Sequence, residues 1–291
     1  MKKTLGEKAF QYFDILIMLL ILAIIIFPFM NIISLSVSGR DAILSNSVSL
    51  WPKGFNLAAY GKILGSALFL RSLINTIGIT VIGTFLAVIL TLMVSYALTK
   101  DFLGKKFVTY YFLITMYFSG GLIPTYLVVT KYLNLRNTYW ALILPYLVSV
   151  FYIIVMRSQI ENIPSSIFDA AYIDGANEYQ TVFQIVLPTI APTIAAISMF
   201  FALGKWNSWF PVMIYTDYNK FWTLQYYLRV VVFSKFLGAK DNTELILEEA
   251  QIPEENFRMA AIVLVALPIV SIYPFVQKYF VKGIISGAVK G

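Results

Sequence analysis

Side chains that do chemistry near neutral pH are scarce in this 291-residue sequence, and their scarcity narrows the options at once. There is no histidine and no cysteine, which removes Ser-His-Asp and Cys-His catalysis, His-ligated zinc and haem, disulfides and the usual proton switch. Three Gly-Lys pairs, at Gly61, Gly104 and Gly204, lack the glycine five residues earlier that a G-x-x-x-x-G-K-[ST] loop needs, so no phosphate cradle is encoded. The acidic cluster Glu244, Glu248, Glu249, Glu254 and Glu255 lacks the D-x-[DN]-x-[DN]-G spacing of a calcium loop and reads as a solvated helical face. What remains is Lys205 with Trp206, Asn207 and Trp209, in a run otherwise apolar. A cation there is costly unless it meets water or a partner, so Lys205 is expected to face a solute pathway or another subunit. Aromatic faces and an amide suit sugars, which stack through their axial hydrogens and need donors and acceptors for their hydroxyls. Aromatics at the end of a span equally form an interfacial belt.

The elements that must position these residues follow from composition. Hydrophobic residues make up 59% of the chain and charged ones 13%, against roughly half and a quarter in a soluble domain. A soluble globule is excluded, and so is disorder, given 23 Phe, 19 Tyr and 5 Trp. The formal charge of +7 comes without a basic run longer than two residues, so it fits membrane loops rather than nucleic acid. A helix crosses the hydrocarbon core in about 20 apolar residues. Six such runs occur, at 15–37, 73–98, 107–130, 139–156, 188–215 and 259–281. The third holds Gly120-Gly121 and Pro124, the fourth Pro145, and both are expected to kink. None of the six contains Asp or Glu, which argues against a proton carrier; sodium, which backbone carbonyls can hold, stays open. The first run is too long for a signal peptide and no cleavage site follows, so it is expected to be permanent.

The expected fold is therefore an all-α integral membrane protein of six transmembrane helices, a single domain over 1–291. The positive-inside count does not fix its orientation: with the N-terminus inside, ten Lys and Arg lie on the inner segments and eleven on the outer ones. The short segments, above all 100–106 and the N-terminal tail, lean toward cytoplasmic N- and C-termini. Outer stretches are then expected at 38–72 and 216–257.

The loop 158–187, between the fourth and fifth runs, can be read residue by residue. Ser166 and Asp169 have capping-box spacing, so a helix is expected to begin there, with Ile167, Phe168, Ala171 and Tyr172 on one face. Asp174-Gly175 ends it. Asn177 and Gln180 repeat the cap spacing, and Tyr179, Val182, Phe183 and Val186 fall at i, i+3, i+4 and i+7 before Pro188. Two short helices joined at a glycine result. The loop lacks the basic residues of a helix that lies on lipid, so a protein groove is its expected host.

Asp169-Ala170-Ala171, three residues, Gly175, nine residues, Ile185, one residue and Leu187-Pro188 resemble the E-A-A-x3-G-x9-I-x-L-P signature of the membrane subunits of bacterial ATP-binding-cassette (ABC) importers. The chain is similar to the second permease subunit of the maltose-type carbohydrate branch in further stretches. These are Trp51-Pro52-Lys53-Gly54-Phe55-Asn56-Leu57 with Tyr60, Asn75-Thr76, Tyr96-Ala97-Leu98, the run from Asn137 to Pro145, Trp206-Asn207, and the tail from Gln277 to Gly283 and Gly287 to Gly291. Asp169 stands where the family usually has Glu.

The resemblance implies a sugar-import permease of the bacterial cytoplasmic membrane, not an enzyme. It implies an ATPase-coupling loop in which Asp169, Ala170, Ala171, Asp174, Gly175, Ala176, Ile185, Leu187 and Pro188 meet the cytoplasmic ATPase. It further implies a second homologous permease, an ABC ATPase homodimer that carries ATP and Mg, an extracytoplasmic solute-binding protein and an oligosaccharide substrate, with no cofactor in this chain. Lys205, Trp206, Asn207 and Trp209 are the candidate pathway residues. An ion-coupled secondary transporter of a small polar solute is the alternative.

Overall fold

The computed structural model describes residues 5–237 and 252–288; Lys2, Lys3, Lys240, Glu244, Glu248, Glu249 and the last three residues of the tail motif lie outside them. All regular structure among the described residues is helical. Among the described residues three helices are long and apolar enough to cross a membrane, or up to six when each of three sharply bent helix pairs is taken as one span. The chain divides into two compact units, residues 1–69 with 228–268 and residues 70–227 with 269–291.

The first unit is led by α1 (Leu5–Ser36), ten residues longer at its start than the apolar run alone indicates. Apolar side chains such as Phe13, Leu20, Ile24 and Phe29 stand exposed around it, as on a helix solvated by lipid. Its last turn changes character. Ser34, Ser36 and Ser38 are buried, and their hydroxyls grip the chain that follows. Ser34 donates to the Leu50 carbonyl at 2.6 Å, Ser36 shares a 2.7 Å hydrogen bond with the Tyr60 hydroxyl, and Ser38 accepts the Lys53 N–H at 3.1 Å. The Trp51-to-Leu57 stretch is shaped by this grip: a Cβ on Gly39 would sit 2.7 Å from the Gly54 carbonyl oxygen, so the two backbones approach as only glycine allows. The expected outer stretch 38–72 thus carries α2 (Arg40–Leu44), α3 (Ala58–Leu64) and the start of α4 (Ala67–Ala97).

In the second unit, α4 is the long continuous element. The expected kinks are larger than kinks. α5 (Lys105–Tyr117) and α6 (Leu122–Leu127), which continues as a π turn to Tyr132, meet at 113° across an extended Phe118 and a Gly121 at φ +85°. α7 (Trp140–Ile143), with a 3-10 turn to Tyr146, and α8 (Val150–Glu161) meet at 51° across an extended Ser149. The loop helices α9 (Ser165–Ile173), α10 (Glu178–Gln180) and α11 (Leu187–Thr189) follow, and α12 (Ala191–Trp206) leaves the Glu178–Thr189 run at 87°.

The fifth apolar run is corrected here: it is not one helix over 188–215. Pro188 and Pro192 lack the N–H groups that would carry one ladder through Ile190, and α12 closes at Asn207 before α13 (Phe210–Tyr215). Beyond it, the stretch expected as an outer loop contains α14 (Leu224–Leu237). The sixth run lies within α15 (Glu254–Ala288), which continues through Pro268 and Pro274.

The core of the second unit draws on α4, α8, the loop helices and α12 through Ile79, Leu92, Met156, Ile160, Val186 and Ile197. Polar pins hold its broken ends. The Asn75 amide donates to the carbonyls of Lys220 (2.8 Å) and Trp222 (2.9 Å), and its oxygen accepts from the Tyr139 hydroxyl at 3.0 Å. Buried Thr76 accepts the Leu224 N–H at 2.7 Å and donates to Ser72. Arg136 and Asn137 clasp Asp217: the guanidinium and the amide each donate to a carboxylate oxygen at 2.8 Å. The Asn137 amide and then the Arg136 guanidinium hold the Asp217 carboxyl below its usual value.

Thr76→Val leaves a fully buried N–H without its acceptor and is expected to cost about 1–3 kcal/mol, read from denaturation of the purified protein in detergent. Because the Asp217 value is depressed in the folded state, its clasp is present in full above the ordinary aspartate value of about 3.9 and is lost as pH falls through the lower native value. In an acid titration of thermal stability, wild type should therefore lose its margin over Asp217→Asn only below that ordinary value; a margin that vanishes near neutrality would contradict the clasp.

Candidate functional site

The loop between α8 and α12 is a helical hairpin built on short-range rules. α9 begins two residues earlier than its capping spacing indicates, at Ser165, because Pro164 (φ −57°, ψ 134°) supplies the extended residue before the first turn. No side chain caps that end, so the Ser166–Asp169 box does not form and the Asp169 carboxylate is left exposed. The far end closes as expected. Gly175 adopts φ +75°, its N–H donates to the Tyr172 carbonyl at 3.1 Å, and the Ala176 N–H donates to Ala171 at 3.0 Å. That pair of bonds is the Schellman closure. The second box forms in full: the Gln180 N–H meets the Asn177 side chain at 2.9 Å and the Gln180 side chain meets the Asn177 N–H at 2.8 Å.

After Gln180 the ladder widens into a π turn over Thr181–Val186. Residues four apart then stack, so Val182, Val186 and Ile190 are buried while Tyr179 and Phe183 stay exposed. The expected common face of Tyr179, Val182, Phe183 and Val186 is split by that change of period. The face read on α9 is also corrected. Phe168 packs against the core and Ala171 is buried, but Tyr172 is 84% exposed, and Ile173 beside it 83%.

The residues of the loop signature therefore divide by role. Asp169, Ala170, Asp174, Gly175, Leu187 and Pro188 are exposed, Ala176 and Ile185 are half-buried, and Ala171 anchors α9 inward. Neither Asp169 nor Asp174 has an ion pair among the described residues. The tip thus offers two free carboxylates, small residues that permit close approach, and the apolar side chains Tyr172 and Ile173.

One contact was not read from the sequence. Glu178, the first residue of α10, accepts a hydrogen bond from the Tyr96 hydroxyl in the last turn of α4 and pairs with Lys100 Nζ at 3.2 Å. The Lys100 ammonium also sits 4.8 Å from the Tyr96 ring centroid. Tyr96 stands in a stretch that carried the family resemblance, but a pairing across 82 residues leaves no local pattern to find it by.

Lys205 and Trp206 lie in the last turn of α12, both buried, and Asn207 closes it. Lys205 Nζ donates to the Tyr146 carbonyl at 3.3 Å, and its side chain crosses Gly83 of α4 so closely that a Cβ there would lie 2.7 Å from Lys205 Cδ. The Trp206 indole N–H is buried with no acceptor among the described residues. Asn207 is exposed and accepts from the Gln225 amide at 3.1 Å, and Trp209 is half-buried edge-on to Phe210. The structure brings Lys205 and Trp206 together inside the unit and leaves Asn207 facing out.

Comparison with known proteins agrees across the chain. The family model described as the binding-protein-dependent transport system inner membrane component matches residues 57–286. The polygalacturonan/rhamnogalacturonan transport system permease protein YtcP of Bacillus subtilis (strain 168) is 37% identical over 97% of this chain and 99% of its own length. The arabinooligosaccharides transport system permease protein AraQ of Halalkalibacterium halodurans is 30% identical over 92% of each. Among solved structures, a chain of a bacterial ABC transporter involved in the import of the acidic polysaccharide alginate superimposes with a TM-score of 0.89 at 28% identity, covering 96% of this chain and 99% of that one. With the helical architecture and the exposed hairpin, these matches place the chain in the family of binding-protein-dependent transport system inner membrane components.

Proposed function

We propose that the chain is one of two similar permease subunits of an ATP-driven importer and that an oligosaccharide derived from a complex polysaccharide passes between them. The observation that carries this reading is the similarity over essentially the whole chain to permeases of polygalacturonan/rhamnogalacturonan and arabinooligosaccharide transport and to a chain of an alginate importer. Membership of a binding-protein-dependent family favours this over ion-coupled secondary transport. In this reading residues 1–291 form one six-span domain with both ends in the cytoplasm. An ABC ATPase homodimer binds ATP and Mg, and a solute-binding protein delivers sugar from outside.

The loop 158–187 docks on the ATPase. Asp169 and Asp174 meet basic or donor groups there, Ala170 and Ala176 allow close approach, and Gly175 sets the angle between the two short helices. Ile185, Leu187 and Pro188 join the docked hairpin to the fifth span, with Ala171 holding it from within. Lys205, Trp206, Asn207 and Trp209 act where the fifth span meets the pathway or the second permease. Lys205 and Trp206 shape that end of α12 from inside, while Asn207 presents its amide outward.

Co-purification from the native membrane should recover a second permease and an ATPase, and one oligosaccharide-loaded binding protein should stimulate hydrolysis. A chain that purifies alone and transports in ATP-free vesicles would defeat the reading. Asp169→Lys is expected to break the link between hydrolysis and transport while membrane insertion persists. At Gly175 an added Cβ has open space around it, so only backbone strain opposes substitution, about 1–2 kcal/mol for a residue held at positive φ. Gly175→Val should uncouple, and Gly175→Asn should retain most transport. Lys205→Met removes a buried charge whose one hydrogen bond among the described residues goes to the Tyr146 carbonyl; it should unfold no more easily than wild type yet transport more slowly.

A further inference from the structure

The hairpin is tied to the membrane helices by more than its covalent ends. Two groups converge on one carboxylate: the Tyr96 hydroxyl and the Lys100 ammonium, from the end of α4 and just beyond it, meet Glu178 at the start of α10. The Asn177–Gln180 box fixes the backbone at that point, so the carboxylate is held at a defined place on the loop. Beside the contact lies a cavity of about 460 Å³ lined by Met93, Ala97, Phe102, Val182 and Phe183. Val182 and Val186 share the buried core with Leu92 and Tyr96 of α4, and the polar contact adds to that packing on its solvent side. The Lys100 and Glu178 side chains are 45% and 70% exposed, and ion pairs that open to solvent add little to stability. Their consequence is geometric: they hold the Glu178 carboxylate to the end of α4. α4 is an unbroken helix of 31 residues, and Asn75 and Thr76, toward its other end, hold the 220–224 backbone. A displacement applied at Glu178 has a rigid element to travel along.

We propose that Glu178, Tyr96 and Lys100 form a strut that passes movement of the docked loop to α4, which makes Glu178 a positioning residue for transport. The strut rests on the reading that the loop docks on an ATPase. It predicts that its loss lowers the sugar moved per ATP hydrolysed rather than the assembly of the complex.

The test uses the complete importer in liposomes, with the oligosaccharide that stimulates hydrolysis in the co-purification experiment. Glu178→Gln and Tyr96→Phe are each expected to lower transport per ATP by roughly threefold or more, with the subunits still recovered together. The double variant should be no worse than the more affected single one, since both break one device. Exchanging the charges, Lys100→Glu with Glu178→Lys, should restore part of the ratio. An unchanged ratio in both single variants, or additive losses without recovery on exchange, overturns the strut. Asp169→Lys separates the two readings. If it uncouples while Glu178→Gln does not, docking stands and the strut falls; if neither uncouples, docking itself is wrong.

Discussion

Hydrocarbon offers no hydrogen-bond partner, so each backbone N–H and C=O that enters it must be satisfied by the protein, at a cost of several kcal/mol for each one left alone. The all-helical architecture follows from that constraint. So do the places where helices break. The bends at 118–121, 147–149 and 190 free backbone groups, and such groups are tolerated only where protein can answer them. Elsewhere in the same unit short polar side chains are aimed at backbone: Thr125 at the Gly121 carbonyl, Ser95 at the Ile153 carbonyl, and Asn75 at two carbonyls of the 220–222 segment.

The same constraint separates the two kinds of exposed apolar surface. On α1 the exposed Leu, Ile and Phe need no protein partner, because lipid is their solvent. On the hairpin, Tyr172 and Ile173 sit beside Asp169, Asp174 and the polar Asn177–Gln180 cap, with no basic residue on the loop to hold it at a lipid surface. That mixture of apolar and acidic groups differs from the uniformly apolar surface of α1, and Glu178 at the start of α10 meets Tyr96 and Lys100 at the end of the long helix behind it.

Local rules of sequence were sufficient wherever the determining partners are close in the chain. Gly175 and the Asn177–Gln180 box were legible because their hydrogen bonds reach only three to five residues. The start of α9 lies two residues before the expected one, since Pro164 competes with Ser166 for the same end and a fixed φ outweighs an optional side-chain cap. The outward turn of Tyr172 was missed because the core takes Phe168 and Ala171, and a face chosen from spacing alone cannot say which half of it is covered.

The sequence by itself determined that the chain is helical and membrane-bound, that it lacks catalytic and phosphate-binding groups of the common kinds, and that it carries a glycine-hinged helical hairpin between the fourth and fifth apolar runs. These follow from composition, run length and spacing, which act along the chain. Only the tertiary structure decided how far the prolines and glycines break the third, fourth and fifth runs, where Lys205 lies, and that Glu178 meets Tyr96 and Lys100. Those outcomes depend on groups tens of residues apart competing for one space: Lys205 fits because Gly83 has no side chain, and Glu178 is held because α4 ends beside it.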